Sequence, residues 1–316
     1  MKKGICILAS ICLLLDCLGQ SYLIRSTSLV NPILVNPAVC GADYLPKATL
    51  SYEKEWLSIP QAPSSFYASG EIRLGRFDFY NPRMYINDTR FRSLERVGLG
   101  AGIYSDNNGP FNEFNMMLTY SYHLPLNENT AISFGISGKL NHYGVNLSEI
   151  DPVTSDDPLI SFENHTNVNT SVGTYLYQNE YFLGFSGVDL FNTAASSMNF
   201  TLLKQALYGM GGYRFQNVSG SVILEPSVIL KYYIREQSVH ADFHVKIYLI
   251  KHGWLSISYL NETQLSLMLA VRVWKFYYVA YKFSLTQNEL NSYTGNTHGI
   301  LLGINLGVNR NNTTLY

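Results

Sequence analysis

Apolar and polar residues alternate in long runs along most of the chain. In one of these runs Ile132, Phe134 and Ile136 fall on one face of an extended strand, and Ser133 and Ser137 fall on the other. Successive side chains of a β-strand point to opposite faces, so this pattern predicts strands with one apolar and one polar face. Helical periodicity is weak throughout, and Asn, Asp, Gly and Pro separate the runs. The chain is therefore predicted to be all-β.

The alternation predicts about fourteen strands, and an even number would place both ends of the sheet on one side of a membrane. The strand cores are 47–56, 64–74, 95–105, 111–124, 130–143, 167–178, 180–190, 206–216, 220–234, 239–250, 253–261, 264–273, 274–285 and 297–307. The weakest core is 180–190, where the sequence YFLGFSGVDL alternates poorly. Twelve strands remain possible if one weak run is not a strand.

Alternation alone also fits a soluble β-sandwich, but three features favour a transmembrane antiparallel up-and-down β-barrel. The runs span about ten to fifteen residues, whereas soluble strands average five or six. Tyr and Phe are abundant, at 24 and 16 residues. Short turns alternate with longer loops at Val145–Asn167, Asn192–Lys204 and Thr286–Asn296, as in outer-membrane barrels. Because hydrocarbon tolerates no unpaired strand edge, the sheet must close.

The segments around the barrel divide the rest of the chain. Lys2 and Lys3 followed by the apolar stretch Ile5–Leu15 predict a signal peptide over residues 1–19. An N-terminal periplasmic or plug segment follows over 20–46, the barrel over 47–308 and a tail over 309–316. The connection Gly75–Leu94 is long where a short turn is expected, and it is basic. We interpret it as a periplasmic insertion, either a plain solvated loop or a contact for an acidic partner.

The stretch SLVNPILVNPAVCG precedes the first strand and is too rich in proline for a helix or a central strand. Its candidate plug residues are Asn31, Pro32, Asn36, Pro37 and Gly41. The aliphatic residues between the two Asn-Pro pairs favour burial. We expect a short plug inside or against the periplasmic mouth, with its backbone bonded to polar lumen groups. Cys40, the one Cys beyond the signal region, is expected to be a small buried residue.

Charge and motifs exclude several functions. With 22 basic and 23 acidic residues, the chain lacks the basic excess of a nucleic-acid binder. His240, Asp242, His244 and Lys246 share one strand face, but the lysine opposes a metal site, so a hydrated lumen network is expected instead, with no metal or cofactor. The chain has no Gly-x-Ser-x-Gly, phosphate-binding Gly-Lys or His-Glu-x-x-His motif, and we predict that it is not an enzyme.

Two predicted outer turns are candidates for facing a partner. The DNNGP stretch has the composition of a tight hairpin turn. Trp56 lies beside the loop LSIPQAP and is interpreted as a membrane-interface anchor rather than a binding hot spot. The candidate residues are Trp56, Pro63, Asp106, Asn108, Gly109 and Pro110.

Several stretches, in order, resemble a known family. NPILVNPAVCGAD, YEKEWLSIPQAPSSF, VGLGAGIYSDNNGPF, DDPLISFENHTNVNTSVGTYLYQNEYFLGFSG, EPSVILKYYI and YKFSLTQNELNSYTGNTHGILLGINL are similar to the PorP/SprF family. These are outer-membrane proteins of the Bacteroidota type IX secretion and gliding machinery. The chain departs from the family at Val39 and Cys40, where an aromatic and then Ala or Gly are usual, and in the length of the insertion and the tail.

The resemblance implies a location in the outer membrane of a Gram-negative bacterium of the Bacteroidota. It implies a secretion component that binds a secreted adhesin-like client and helps to export or anchor it through the client's C-terminal sorting domain. Other implied partners are further type IX components, a periplasmic peptidoglycan-linked protein and outer-membrane lipid. The alternative from another class is a transport channel for small or hydrophobic solutes, and a weaker third is a hydrolase.

Overall fold

A computed structural model describes residues 31–43, 45–58, 62–74, 96–127, 129–146, 164–192, 205–216, 222–249, 252–260, 264–274, 276–286 and 295–306. The predicted signal peptide, the insertion Gly75–Leu94 and the tail lie outside the described residues. Most residues of the three long predicted loops also lie outside the described residues.

Fourteen antiparallel strands run through the described residues. They are β1 (Lys47–Lys54), β2 (Ser64–Arg73), β3 (Val97–Asn108), β4 (Phe111–Pro125), β5 (Ala131–Val145), β6 (His165–Tyr177), β7 (Tyr181–Asn192), β8 (Ala206–Tyr213, continued by Phe215–Gln216), β9 (Val222–Tyr233), β10 (Ser238–Leu249), β11 (Gly253–Leu260), β12 (Gln264–Arg272), β13 (Tyr277–Thr286) and β14 (Thr297–Asn305). The two parts of β8 count as one strand because both pair with β9 on either side of Arg214.

The sheet closes on itself. Each strand pairs with its neighbours in sequence, and β1 pairs with β14 from Lys47 opposite Asn305 to Lys54 opposite His298. This confirms the predicted up-and-down barrel, with fourteen strands rather than twelve. The start of β1 and the end of β14 lie together at one end, here called the terminal rim. The opposite end is called the loop rim.

The barrel is apolar outside and polar inside. Leu118 is 71% exposed and Phe134 is 47% exposed on the outer face, whereas Ser121 and Ser133 are fully buried on the inner face. A soluble protein buries most of its large apolar side chains and exposes most of its polar ones. The inverted distribution is the one that lipid outside and a polar lumen inside require.

Exposed aromatic side chains lie near both rims. Those near the terminal rim are Tyr213, Phe215, Trp274 and Tyr277, and those near the loop rim are Phe114, Phe191 and Tyr232. Amphipathic aromatic rings favour the boundary between hydrocarbon and water, so these two sets fit the aromatic girdles of a membrane barrel.

One strand departs from regular alternation. In β7, residues 188–190 lie opposite the single residue Ser171 of β6, which makes a β-bulge. Asp189 takes a positive φ of 56°, its N–H donates to Ser171 Oγ at 3.0 Å, and its carboxylate accepts from Lys139 Nζ at 2.5 Å. The bulge explains why the sequence of this strand alternates poorly.

Two short 3₁₀ turns, Pro32–Leu34 and Pro37–Val39, precede β1. Among the residues that the structure describes, no helix is long and apolar enough to cross a membrane.

Candidate functional site

The chain before β1 lies inside the barrel. We call residues Asn31–Asp43 the lumen segment. Val35, Asn36, Ala38 and Cys40 within it are fully buried. Each Asn-Pro pair begins a 3₁₀ turn, with proline at the first helical position, where its missing N–H leaves no bond unmade. Asn36 also caps its turn by accepting a hydrogen bond from the Ala38 N–H at 3.0 Å.

Inward serine hydroxyls of four strands hold the lumen segment. The donors and acceptors are Ser69 Oγ to Asn31 Oδ1 (3.3 Å), Ser186 Oγ to Val35 O (2.5 Å), Ser133 Oγ to Ala38 O (2.6 Å) and Ser121 Oγ to Cys40 O (2.6 Å). The segment thus crosses the lumen from β2 to β7 and returns past β5 and β4. Three of these acceptors are main-chain carbonyls, which need partners when they are buried.

Glycines line the wall where the lumen segment comes closest. A Cβ atom at Gly98 would lie 2.3 Å from Cys40 O, one at Gly135 would lie 2.2 Å from Ala38 N, and one at Gly173 would lie 2.1 Å from Asn36 Oδ1. Such separations are far inside van der Waals contact. The three positions therefore exclude a side chain, because the backbone of the lumen segment approaches Gly98 and Gly135 and the Asn36 side chain approaches Gly173.

The side chain of Asn36 is fully buried. Its Nδ2 donates to the main-chain oxygen of Thr174 at 2.9 Å, while its Oδ1 accepts from the Ala38 N–H. Both ends of the buried amide are thereby bonded, as a fully buried polar group requires. A Cβ at Gly184 would lie 2.8 Å from the same amide, so β6 and β7 together form a slot for it.

A chain of hydrogen bonds joins three strands to the Cys40 carbonyl. Arg73 Nη1 donates to the Tyr177 hydroxyl at 3.1 Å. That hydroxyl lies 2.9 Å from His123 Nδ1, and His123 Nε2 lies 2.8 Å from Cys40 O. Because a carbonyl only accepts, Nε2 carries the proton in this arrangement, and Nδ1 accepts from Tyr177. The imidazole therefore acts as a neutral bridge between β4 and the lumen segment.

Charged side chains form the contacts at the point where the chain leaves the lumen. The Gly41 N–H donates to Glu71 Oε2 at 2.8 Å, and Asp43 forms an ion pair with Lys47 at the start of β1. Gly41 has a φ of 73°, a conformation that a residue with a Cβ adopts only with strain. Gly41, Glu71, Asp43 and Lys47 form what we call the hinge, which turns the lumen segment into the barrel wall.

Cys40 is a packed residue rather than a reactive one. Its thiol is free and buried. Burial, followed by the negative charge of Glu71, raises the pKa of the Cys40 thiol well above its usual value of 9.0. Since the thiolate is the nucleophile and the metal ligand, a thiol kept protonated is a weak nucleophile and a weak metal ligand in the unmodified protein.

The row His240, Asp242, His244 and Lys246 faces the lumen from β10, but its members do not converge on one point. Their partners are Ser238 Oγ for His240 (3.2 Å), Lys231 for Asp242, Ser258 Oγ for His244 (2.9 Å) and the Trp254 ring for Lys246 (4.2 Å to the centroid). Within the described part of the chain, no group of three or more His, Cys, Asp or Glu side chains is placed to hold a metal ion.

The turn between β3 and β4 lies at the loop rim. Asn108 pairs with Phe111, so Gly109 and Pro110 form a two-residue turn, with a φ of 56° at Gly109. Glycine at the first central position suits a type II′ hairpin. Asp106 departs from the expectation of a partner-facing side chain. The alternation of β3 turns it inward, where it is 3% exposed and accepts from Ser65 Oγ at 2.9 Å.

The first hairpin carries Trp56 and Pro63, also at the loop rim. The Glu55 N–H donates to Pro63 O at 2.9 Å, which closes the base of this loop. Trp56 is half-buried and has a positive φ of 49°. Pro63 is buried, so it supports the loop rather than forming its surface.

Sequence reasoning did not identify the wall that receives the lumen segment. Its residues are Ser121, Ser133, Ser186, Gly98, Gly135, Gly173 and Gly184. The available signal was the small size of these residues on the polar faces of β3–β7, where a lumen of water alone would accept larger side chains. Which glycine meets which backbone atom follows only from the path of the lumen segment.

The crystal structure of the Acinetobacter baumannii outer membrane protein Omp33 is similar, with 8% identity and a TM-score of 0.47, over 83% of this chain and 99% of that one. A Pseudomonas aeruginosa FadL homologue is similar, with 11% identity and a TM-score of 0.46, over 85% and 91%. The KdgM porin follows with 8% identity and a TM-score of 0.39, over 82% and 98%. No curated protein matches the sequence.

The profile of the family described as "Type IX secretion system membrane protein PorP/SprF" matches residues 20–304. The match takes in the lumen segment and nearly all of the barrel, and its description names no enzymatic activity. A closed barrel with an apolar outer face is also the architecture of outer-membrane proteins. This chain belongs to the PorP/SprF family of type IX secretion system membrane proteins.

Proposed function

We propose that this protein is an outer-membrane component of the type IX secretion system that binds a secreted client. It helps to export or anchor that client through the client's C-terminal sorting domain. The observation that carries the proposal is the family match over residues 20–304. A secreted adhesin-like protein of a gliding bacterium of the Bacteroidota is the expected client. Other type IX components and a periplasmic peptidoglycan-linked protein are the expected partners at the terminal rim.

The contents of the lumen support a binding role over free diffusion of solutes. One side of the lumen holds a segment of the chain itself. Elsewhere, inward charges pair with each other across strands, as in Lys282 with Glu53 at 2.6 Å and Arg214 with Glu225 at 2.6 Å. Opening a wide aqueous path would require displacing the segment, whereas these ion pairs lie along the wall between nearby strands.

The loop rim supports a contact with a protein at the cell surface. Phe111 is 46% exposed beside the Gly109–Pro110 turn, and Leu57 is 51% exposed in the first hairpin loop. The Leu57 N–H lies 3.4 Å from Asn296 O, which joins the first loop to the last. Short, braced loops carrying exposed apolar side chains suit the recognition of a partner.

Site-specific photocross-linking in native membranes tests the orientation and the client together. A photoreactive residue replaces Asn108 at the loop rim, and in a matched control it replaces Asn129, an exposed Asn in a turn at the terminal rim. We expect a large secreted protein to be cross-linked from position 108 and not from position 129. Identical adducts from both positions, or no secreted protein in either, would contradict the proposal.

The alternative of a solute channel rests on the polar inner face of the strands. Planar-bilayer recordings of the purified protein decide between the two functions. We expect no steady conductance from the unmodified chain, because the lumen segment lies in the path. A stable conductance that rises with salt concentration would favour the channel.

A further inference from the structure

The wall formed by β3–β7 recognises mainly the main chain of the lumen segment, and it also binds the side-chain amide of Asn36. Its serine hydroxyls donate to the carbonyls of Val35, Ala38 and Cys40, groups that every polypeptide carries. Its glycines leave room for a backbone and little more, since a Cβ at Gly135 would lie 2.3 Å from Pro37 C. Such a surface fits a segment that follows the same backbone path and has small residues where the wall glycines approach it.

The lumen segment is held differently along its length. From Asn31 to Cys40 its described bonds to the barrel involve uncharged groups: three main-chain carbonyls accept from buried serine hydroxyls, and the side-chain amides of Asn31 and Asn36 also form hydrogen bonds. Charged contacts follow at the hinge, where Glu71 accepts from the Gly41 N–H and Asp43 pairs with Lys47. A competing backbone could replace each carbonyl bond one for one, and such an exchange conserves the number of hydrogen bonds. The hinge would keep the displaced segment attached.

We propose that the β3–β7 wall is a peptide-binding site, that residues 31–40 are its built-in occupant, and that a segment of the client with the same backbone path, and with small residues opposite the wall glycines, replaces them. The identity of this competitor rests on the function proposed above. The wall contributes main-chain recognition through Ser121, Ser133 and Ser186, and the hinge returns the segment to the wall after the client leaves.

A reversible covalent lock makes the displacement testable. A Cβ at Gly100 would lie 2.9 Å from Cys40 Sγ, close to the separation of roughly 3 Å between Cβ and the partner sulfur in a disulfide. Gly100→Cys should therefore bond to Cys40 on oxidation and fix the segment to the wall. Gly102→Cys is the matched control, because a Cβ at Gly102 meets Ala68 O at 3.4 Å and Tyr67 Oη at 3.5 Å.

Binding of a separate peptide tests the site without any client. The probe is a fluorescent synthetic peptide with the sequence of residues 31–43 carrying Cys40→Ser. The built-in segment competes at an effective concentration on the order of millimolar, so it is weakened in the full chain with Asn36→Ala, which removes the bond to Thr174 O. We expect Asn36→Ala to increase peptide affinity about tenfold.

Peptide binding by the double variant Asn36→Ala with Gly100→Cys is measured with and without the disulfide. Oxidation should abolish peptide binding, and reduction should restore it, while Asn36→Ala with Gly102→Cys binds equally under both conditions. The outcome that overturns the proposal is equal binding by the oxidised and reduced Gly100→Cys forms, or no binding by a reduced form that still shows the heat-modifiable migration of a folded barrel.

Client capture from native membranes then separates this inference from the proposed function. With Gly100→Cys alone, reduced protein should capture the client, and oxidised protein should capture at least tenfold less. Equal capture in both states overturns the displacement by the client. If neither the reduced form nor the unmodified chain captures a secreted protein while the peptide still exchanges, the proposed function fails and the peptide site stands.

Discussion

The two sides of the lumen are filled in opposite ways. The β3–β7 side presents small neutral residues where it contacts the lumen segment, and its inward charges Lys139 and Asp189 pair with each other near the loop rim. The β9–β14 side presents large and charged residues: Glu225, Lys231, Asp242, Lys246, Tyr248, Trp254, Tyr278 and Lys282. Their partners are mostly each other, as in the ion pair of Lys231 with Asp242, whose side chains are 3% and 0% exposed. Lys246 lies over the Trp254 ring.

Glycine illustrates the difference. On the first side a Cβ at Gly135 would meet the backbone of Ala38, 2.2 Å from its nitrogen. On the second side a Cβ at Gly303 would lie 1.9 Å from the ring of Tyr278, the residue directly opposite it on β13. One glycine makes room for an inserted segment, and the other makes room for a side chain of the barrel itself. We therefore expect the first side to be sensitive to added volume and the second to lost charge.

The largest expected effect is on the charged side. Lys231→Met leaves the buried carboxylate of Asp242 without its lysine, which should lower the free energy of unfolding by about 3–5 kcal/mol. Urea titration of the protein in phospholipid vesicles measures the change. Lys231→Met combined with Asp242→Leu should recover most of the loss, because both charges are then removed. If the double variant is no more stable than the single one, the pairing does not explain the effect.

On the glycine side, Gly135→Leu should lower the free energy of unfolding by about 1–3 kcal/mol and expel the lumen segment. The matched control is Gly138→Leu on the same strand, since a Cβ there meets nothing within 4 Å. Limited proteolysis followed by mass spectrometry should detect cleavage within residues 31–43 of the first variant only. Equal protection of the segment in both variants would show that the wall tolerates added volume.

The Cys40 thiol predicts a pH dependence of the lumen segment. Its pKa is raised in the folded state above the usual value of 9.0, so the folded protein holds the proton while the unfolded chain loses it above that pH. The contribution of the thiol to the free energy of unfolding is therefore fully present below pH 9, and above pH 9 it declines by about 1.4 kcal/mol per pH unit. Comparing the unmodified chain with Cys40→Ala from pH 8 to pH 10 isolates this term. A stability difference that stays constant with pH would contradict the burial of the thiol.

The smallest expected effect comes from single hydroxyls. Ser133→Ala removes the donor to Ala38 O and should cost about 1 kcal/mol of unfolding free energy. Ser266→Ala, on the opposite side, breaks a 2.7 Å bond to Ser284 Oγ and should cost a similar amount. Only Ser133→Ala should speed proteolysis of the lumen segment. Similar proteolysis rates in the two variants would remove the distinction between the two sides.

Period-two alternation was sufficient to place the strands, while run length, abundant Tyr and Phe and alternating loop lengths favoured a barrel over a sandwich. It placed all fourteen strands to within a few residues, including β7, where the pattern was weakest. The signal is strong because the two solvents of a membrane barrel, lipid and lumen, impose opposite polarity on neighbouring residues. Where the register shifts at residues 188–190, that rule fails locally, and the inward turn of Asp189 was not predictable.

The candidate residues were predicted less completely than the strands. Asn31, Asn36 and Gly41 were selected from the sequence, yet their partners Ser69, Thr174 and Glu71 were not. The polar row from His240 to Lys246 was selected as a set, but in the structure each of its members has its own partner. Partners on other strands depend on pairing register and on the path of the lumen segment, which local sequence does not encode.

By itself, the sequence determined the strands, their two faces and a proline-rich segment before β1 that would neither pair in a sheet nor stay in water. Those features depend on local geometry and on the free energy of transfer between solvents. Only the tertiary structure decided that Ala38 meets Gly135, that Cys40 O meets His123 and that Asp242 meets Lys231. Each of these contacts joins residues from different elements, and barrel closure fixes the distances between them.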